Sequence, residues 1–140
     1  MINFVIGPPC AGKSTFIKAT FHGAKIVDLW DYQKDLKFVN VDELLKTYEF
    51  AKEALLDAIA DEEECVVFEH TLYKAARRAP YIEAVKNATS MPINCYVVYP
   101  DWEEYTKRCK KRKAMSNSLD YAMLDMPKHS EGFENIFIIK

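Results

Sequence analysis

No stretch of the chain approaches the roughly 18 apolar residues that a membrane-spanning helix needs, and neither sign of charge dominates. The formal net charge is −2, which excludes a polycation that coats nucleic acid over its whole surface. The start, Met1-Ile2-Asn3-Phe4-Val5-Ile6-Gly7, has neither the basic segment nor the long apolar run of a secretory signal. Repeats, linkers and low-complexity segments are missing as well. The four cysteines, Cys10, Cys65, Cys95 and Cys109, form no CxxC and stand by no histidine pair. That spacing argues against zinc and predicts buried thiols in a reducing compartment. These absences leave a soluble, cytoplasmic protein without a membrane partner. What is present is 140 residues, 49% of them hydrophobic, a size expected of one domain that builds a core without disulfides.

Short apolar runs alternate with longer amphipathic stretches, the pattern of βαβ units around a parallel sheet. Strands are expected at Ile2–Ile6, Lys25–Asp28, Cys65–Glu69, Asn94–Tyr99 and Asn135–Ile139. Most are continuous apolar runs, as in strands covered by helices on both faces. Lys13–His22 reads as a helix stopped by Gly23. Asp42–Asp61 reads as a long helix, with Leu44, Leu45, Tyr48, Ala51, Leu55 and Ile59 at three- and four-residue spacing. A further helix is expected from Ala79 to Ala88, with Pro80 in its first turn, where a missing N–H does no harm. Asp101-Trp102-Glu103-Glu104 opens another that runs to about Lys113. The fold class is α/β: a three-layer sandwich around a five-stranded parallel sheet.

The segment Gly7-Pro8-Pro9-Cys10-Ala11-Gly12-Lys13-Ser14 matches G-x-x-x-x-G-K-S, the Walker A phosphate loop. It leaves an apolar strand and enters a helix, so its backbone N–H groups can converge on phosphates where the helix N-terminus adds partial positive charge. Gly7 and Gly12 allow close backbone approach to an anion. Lys13 can reach the β- and γ-phosphates of ATP, Ser14 can ligate Mg2+, and Thr15 can donate to the α-phosphate. Cys10 reads as a tolerated small residue of the loop.

A phosphate loop alone does not separate kinases from GTPases and motor ATPases. The guanine-reading Asn-Lys-x-Asp motif is missing, and no apolar strand ends in the Asp-Glu pair of motor ATPases. Instead Cys65-Val66-Val67-Phe68-Glu69 ends in a single carboxylate, followed by His70-Thr71-Leu72 and Arg77-Arg78. Val97-Val98-Tyr99-Pro100-Asp101 leads to Arg108 and Arg112 at four-residue spacing. Met126-Pro127 precedes Glu131-Gly132-Phe133-Glu134-Asn135-Ile136. With the phosphate loop, these pieces resemble the kinase domain of the polynucleotide kinase group, P-loop kinases of AAA type that are also similar to chloramphenicol phosphotransferase and zeta toxins. The resemblance covers most of the chain. It implies strand order 2-3-1-4-5, phosphate-binding lid arginines at Arg108 and Arg112, and transfer of the ATP γ-phosphoryl group to a polynucleotide 5′-hydroxyl.

The acceptor side departs from that family. Where the family carries an aspartate base followed three residues later by arginine, this chain reads Ile26-Val27-Asp28-Leu29-Trp30-Asp31-Tyr32-Gln33-Lys34. Overlaying the Asp-Tyr pair puts Trp30 at the base and Gln33 at the arginine. A kinase needs a carboxylate near the acceptor hydroxyl, so Asp28 and Asp31 are both candidates. Glu69 could orient the water shell of magnesium, His70 could face the acceptor, and Arg77 and Arg78 could clamp an acceptor phosphate. Trp30, Tyr32 and Tyr73 could stack on a base or belong to the core. Met115–Met126 reads as a cover, part of a lid around 108–126. Competing readings are a nucleoside, nucleotide or other small-molecule kinase, and a nucleotide-binding module without transferase activity.

Overall fold

The structure, a computed structural model, describes residues 1–34, 40–70, 74–113 and 121–140. Five strands, β1 (Ile2–Ile6), β2 (Lys25–Asp28), β3 (Val66–His70), β4 (Ile93–Val98) and β5 (Asn135–Ile139), form one sheet. Its order is β2-β3-β1-β4-β5 and every pairing is parallel. This is the expected topology. Strand side chains alternate between faces, and here both faces are apolar. Phe4, Val66 and Phe68 join one core cluster with Leu55, Tyr81, Ile82 and Phe133. Val5 and Val67 join the other with Ile17, Tyr105 and Cys109.

The helices follow from that division. α1 (Lys13–Thr20) and α5 (Trp102–Lys111) supply the second cluster, while α3 (Val41–Ala60) and α4 (Ala75–Ala88) supply the first. Asn40 caps α3 by accepting from the Asp42 N–H, and Asp101 caps α5 through the Glu104 N–H. The four-residue α2 (Trp30–Gln33) was not foreseen. α4 begins four residues before the expected Ala79, which moves Pro80 out of the first turn. Pro80 and Ala76, whose carbonyl it leaves without a helical donor, are both solvent-exposed, so water can serve that carbonyl. The start of α4 is capped from afar, because Asp125 accepts from the Ala75 N–H at 3.1 Å.

At the N-terminal rim of the sheet Asn3, Asn94 and Asn135 stand in register on β1, β4 and β5. Asn135 donates to Asn94 at 3.0 Å and Asn94 to Asn3 at 3.4 Å. A one-residue slip would break this row and send each strand side chain into the opposite core cluster. The opposite, C-terminal rim carries the phosphate loop and the strand-end carboxylates, where open parallel sheets bind ligands. Among the described residues no helix is long and apolar enough to cross a membrane.

Candidate active site

The loop after β1 folds around its own lysine. Lys13 Nζ donates to the carbonyls of Gly7 at 3.0 Å and Pro8 at 3.1 Å. Gly7 is required by crowding, since a Cβ there would strike the carbonyl of Val98. Gly12 precedes α1 at φ 105°, a backbone region that favours glycine. Cys10 adopts φ 68° without being glycine, one of the strained positions that collect at functional sites. Its thiol is hydrogen-bonded to Cys109 of α5, and burial pushes its pKa up.

β2 and β3 deliver two carboxylates to the same rim. Asp28 and Glu69 are register partners, so their side chains emerge side by side on the face that α1 covers. Ser14 donates its hydroxyl to Glu69 Oε1 at 2.9 Å. Asp28 Oδ1 accepts the backbone N–H of Trp30 at 2.9 Å, which anchors the start of α2. Burial raises the pKa of Asp28; the Trp30 N–H opposes the shift and Asp31 adds to it. Burial likewise raises Glu69, against the hydrogen bond from Ser14 and with the repulsion of Asp28. Burial lowers Lys13 to about 8 although Glu69 and Asp28 attract its proton. Desolvation thus outweighs Coulomb attraction at all three groups.

Two cavities open on this rim. One, of about 440 Å3, is lined by Pro9, Cys10, Lys13, Ser14, Asp28, Leu29, Trp30, Gln33, Glu69 and Arg112. The second, of about 570 Å3, has walls from Thr15, Phe16, Ala19, Val98, Arg108, Lys111, Ile139 and Lys140, and reaches Cys10, Gly12 and Arg112. Arg112 borders both. Arg108 lies against the loop, with Nη1 donating to the Ala11 carbonyl and Nε to Glu104 at 3.1 Å. The second cavity suits a nucleoside: Val98, Ile139 and Ala19 offer apolar contact, and Arg108 a planar cation.

Several expected site residues lie together around the first cavity: Lys13, Ser14, Asp28, Glu69 and Arg112. Others stand elsewhere. Asp31 is exposed and forms a 3.8 Å ion pair with Lys34. Arg78, expected at the acceptor, is completely buried and bidentate to Glu131, at 2.8 and 3.1 Å. It sits there because the chain after β3 enters α4 early and turns this side chain toward the turn His129–Glu131. Arg77 lies 6.0 Å from the centre of the Tyr48 ring and does not line the cavity. His70 closes β3 opposite Ile6, but its side chain falls outside the described residues, as do Thr71, Leu72 and Tyr73. Residues 114–120, in the middle of the expected lid, are also outside them. Tyr121, just beyond, stacks on Tyr99 and Tyr105 and donates to the Pro100 carbonyl. Sequence reading missed Leu29 as a wall of the first cavity, and Phe16, Ala19 and Ile139 as walls of the second. Phe16 and Ala19 carried a signal, being three residues apart on the helix that follows the loop.

Magnesium in a kinase is held by one or two protein oxygens beside phosphates and waters. The converging Ser14 hydroxyl and Glu69 carboxylate fit that demand. No group of three or more His, Cys, Asp or Glu able to hold a metal occurs among the described residues.

The comparisons with known proteins agree with this architecture. Residues 2–126 match the family described as AAA domain. The fold is similar to a chain of the Pnkp1/Rnl/Hen1 RNA repair complex, at TM-score 0.70 and 16% identity over 87% of this chain and 41% of that one. The present chain therefore spans about two fifths of that relative. It is also similar to a candidate kinase from Chloroflexus aurantiacus, at TM-score 0.72 and 10% identity, covering 99% and 83% of the two chains. Kti12 of Chaetomium thermophilum, in complex with ADP-AlF3, superposes at TM-score 0.57 and 16% identity over 99% and 88%. No curated protein sequence matches the chain. At such identities the structural likenesses speak for the fold alone, while the family match spans most of the sequence. The chain belongs to the AAA domain family and carries a kinase-like P-loop fold.

Proposed function

We propose that this chain is an ATP- and magnesium-dependent kinase that transfers the γ-phosphoryl group to a hydroxyl, with Asp28 as the base. The observation that carries the reading is one cavity lined by the phosphate-loop residues Lys13 and Ser14 and by the half-buried carboxylate of Asp28. Asp28 is favoured over Asp31 because it lines that cavity and its pKa is raised, so it holds a transferred proton more readily. As the acceptor oxygen bonds to the γ-phosphorus, the bond from phosphorus to the ADP oxygen breaks. The acceptor proton passes to Asp28. Lys13 and Arg112 neutralise the charge that develops on the phosphates. Magnesium, which Ser14 and Glu69 would hold, supplies further neutralisation of the phosphates when bound. Arg108 and Arg112 belong to the lid in this reading.

The favoured acceptor is a polynucleotide 5′-hydroxyl. Lys107, Arg108, Lys110, Lys111, Arg112 and Lys113 crowd the end of α5 and could track a phosphate backbone, and one structural relative lies in an RNA repair complex. A nucleoside acceptor is the second reading. The burial of Arg78 favours it, because a cation locked to Glu131 cannot clamp a strand phosphate.

The test is transfer of label from γ-labelled ATP to a 5′-hydroxyl oligonucleotide and to thymidine. Label should appear on the acceptor, vanish in Lys13→Ala, and fall at least about 100-fold in kcat in Asp28→Asn. For the oligonucleotide, KM should climb steeply with salt, as phosphate contacts do; a flat response would move the assignment to the nucleoside. ATP binding with no labelled product from either acceptor would leave only a nucleotide-binding module.

A further inference from the structure

The rim of the first cavity carries an aromatic side chain that the core does not use. Trp30 is 62% exposed, and it lines the cavity next to Asp28, Leu29 and Gln33. Leaving so much indole surface in water is unfavourable in the free protein, at about 25 cal/mol per Å2 of apolar area. Two hydrogen bonds hold the backbone of this turn. The Trp30 N–H donates to Asp28 Oδ1 at 2.9 Å, and the Tyr32 N–H to the Leu29 carbonyl at 3.0 Å. The carboxylate assigned as base therefore also anchors the indole, two residues away.

Gln33, one helical turn along, is oriented as well. Thr47 Oγ1 donates to the Leu44 carbonyl at 2.6 Å and so has only lone pairs left for Gln33, whose Nε2 donates to it at 3.0 Å. The amide carbonyl of Gln33 is then directed away from Thr47. Beside the base, the cavity thus presents an aromatic face, an apolar side chain (Leu29) and a neutral amide. Those groups suit an uncharged planar ring with polar edges.

We propose that Trp30 is the stacking platform for a heterocyclic base carried by the acceptor next to its reacting hydroxyl. The acceptor is then a nucleoside, free or at the 5′ end of a strand, and not a base-free sugar or simple alcohol. A single sugar separates a 5′-hydroxyl from its base, and a single residue, Leu29, separates Asp28 from Trp30. The inference rests on the kinase reading for the identity of the reacting hydroxyl, while the stacking itself can be read without turnover.

Two measurements on the full chain test it. Fluorescence of a Trp102→Phe variant reports Trp30 alone, since the sequence has two tryptophans. With saturating ADP filling the donor site, thymidine should quench this emission saturably and 2-deoxyribose should not. If Trp102→Phe disturbs α5, the difference in emission between wild type and Trp30→Phe gives the same reading. In steady-state kinetics with a 5′-hydroxyl dinucleotide, Trp30→Ala should raise the acceptor KM about tenfold. Trp30→Phe should stay within a few-fold of wild type, and the KM for ATP should hold in both. Unchanged emission with thymidine, or equal quenching by deoxyribose, overturns the platform. An acceptor KM that ignores Trp30→Ala does the same. If no acceptor is phosphorylated by the wild type, the kinase reading fails by itself and the titration still decides whether Trp30 binds a base.

Discussion

Asp28 and Asp31 lie three residues apart and live in different surroundings. Asp28 closes β2, lies half-buried beside Glu69 and bonds the Trp30 N–H; Asp31 points to water and Lys34. Sequence spacing could not separate them, because Asp28 ends the strand, Asp31 follows it within one turn, and the family overlay lands on neither. What separates them is the short helix α2, whose start at Trp30 turns Asp31 outward. The phosphate loop was legible because its chemistry resides in backbone and spacing. The acceptor side was not, because it depends on which way individual side chains face. Since burial raises the Asp28 pKa in the unliganded protein and Asp31 adds to the shift, the acid limb of kcat/KM should lie above the ordinary carboxylate range. Activity should fall as pH drops through it. Asp31→Asn removes the repulsion and should move that limb to lower pH with kcat at the plateau preserved within about twofold. A pH–rate profile checks this, and an unmoved limb would mean that Asp31 is not felt at the base.

At the scale of elements, strand positions followed from apolar runs bounded by polar residues, and β1, β2 and β5 have the expected limits. Helix starts were less legible. The start of α4 depends on Asp125, fifty residues away, and no local pattern announces a cap supplied from there. Arg78 illustrates the consequence. Just ahead of a helix starting at Ala79 it would be free for substrate; within a helix starting at Ala75 it is buried. Its bidentate pair with Glu131 ties α4 to the turn that precedes β5. Removing one member of a buried pair leaves the other charge poorly solvated and costs about 3–5 kcal/mol. Arg78→Met should therefore lower the unfolding free energy obtained from urea titration by that much. The acceptor KM, measured on the folded fraction at low temperature, should stay near wild type. A raised KM with unchanged stability would restore Arg78 to the substrate.

Taken whole, the molecule sets its phosphate site between the sheet rim and α5, and Arg112 borders both cavities. Lys13, at the centre, is a buried cation whose pKa is lowered to about 8 from an ordinary 10.5. Between these values the unfolded chain holds a proton that the folded chain has released. Stability from this group therefore rises with pH through that window, and below about pH 8 the full penalty applies, on the order of 3 kcal/mol. From pH 8 to 10 the urea midpoint of the unliganded wild type should gain on that of Lys13→Met; parallel curves would contradict the shift. The phosphate loop is thus least comfortable when empty and protonated, and a nucleotide relieves it. Phosphate charge beside Lys13 must raise its proton affinity, so nucleotide and proton enter the site as a coupled pair. Near pH 8 the calorimetric heat of ADP binding should therefore differ between Tris and HEPES buffers by an amount set by their ionisation enthalpies. The buffer, by giving up that proton, becomes a reactant in binding.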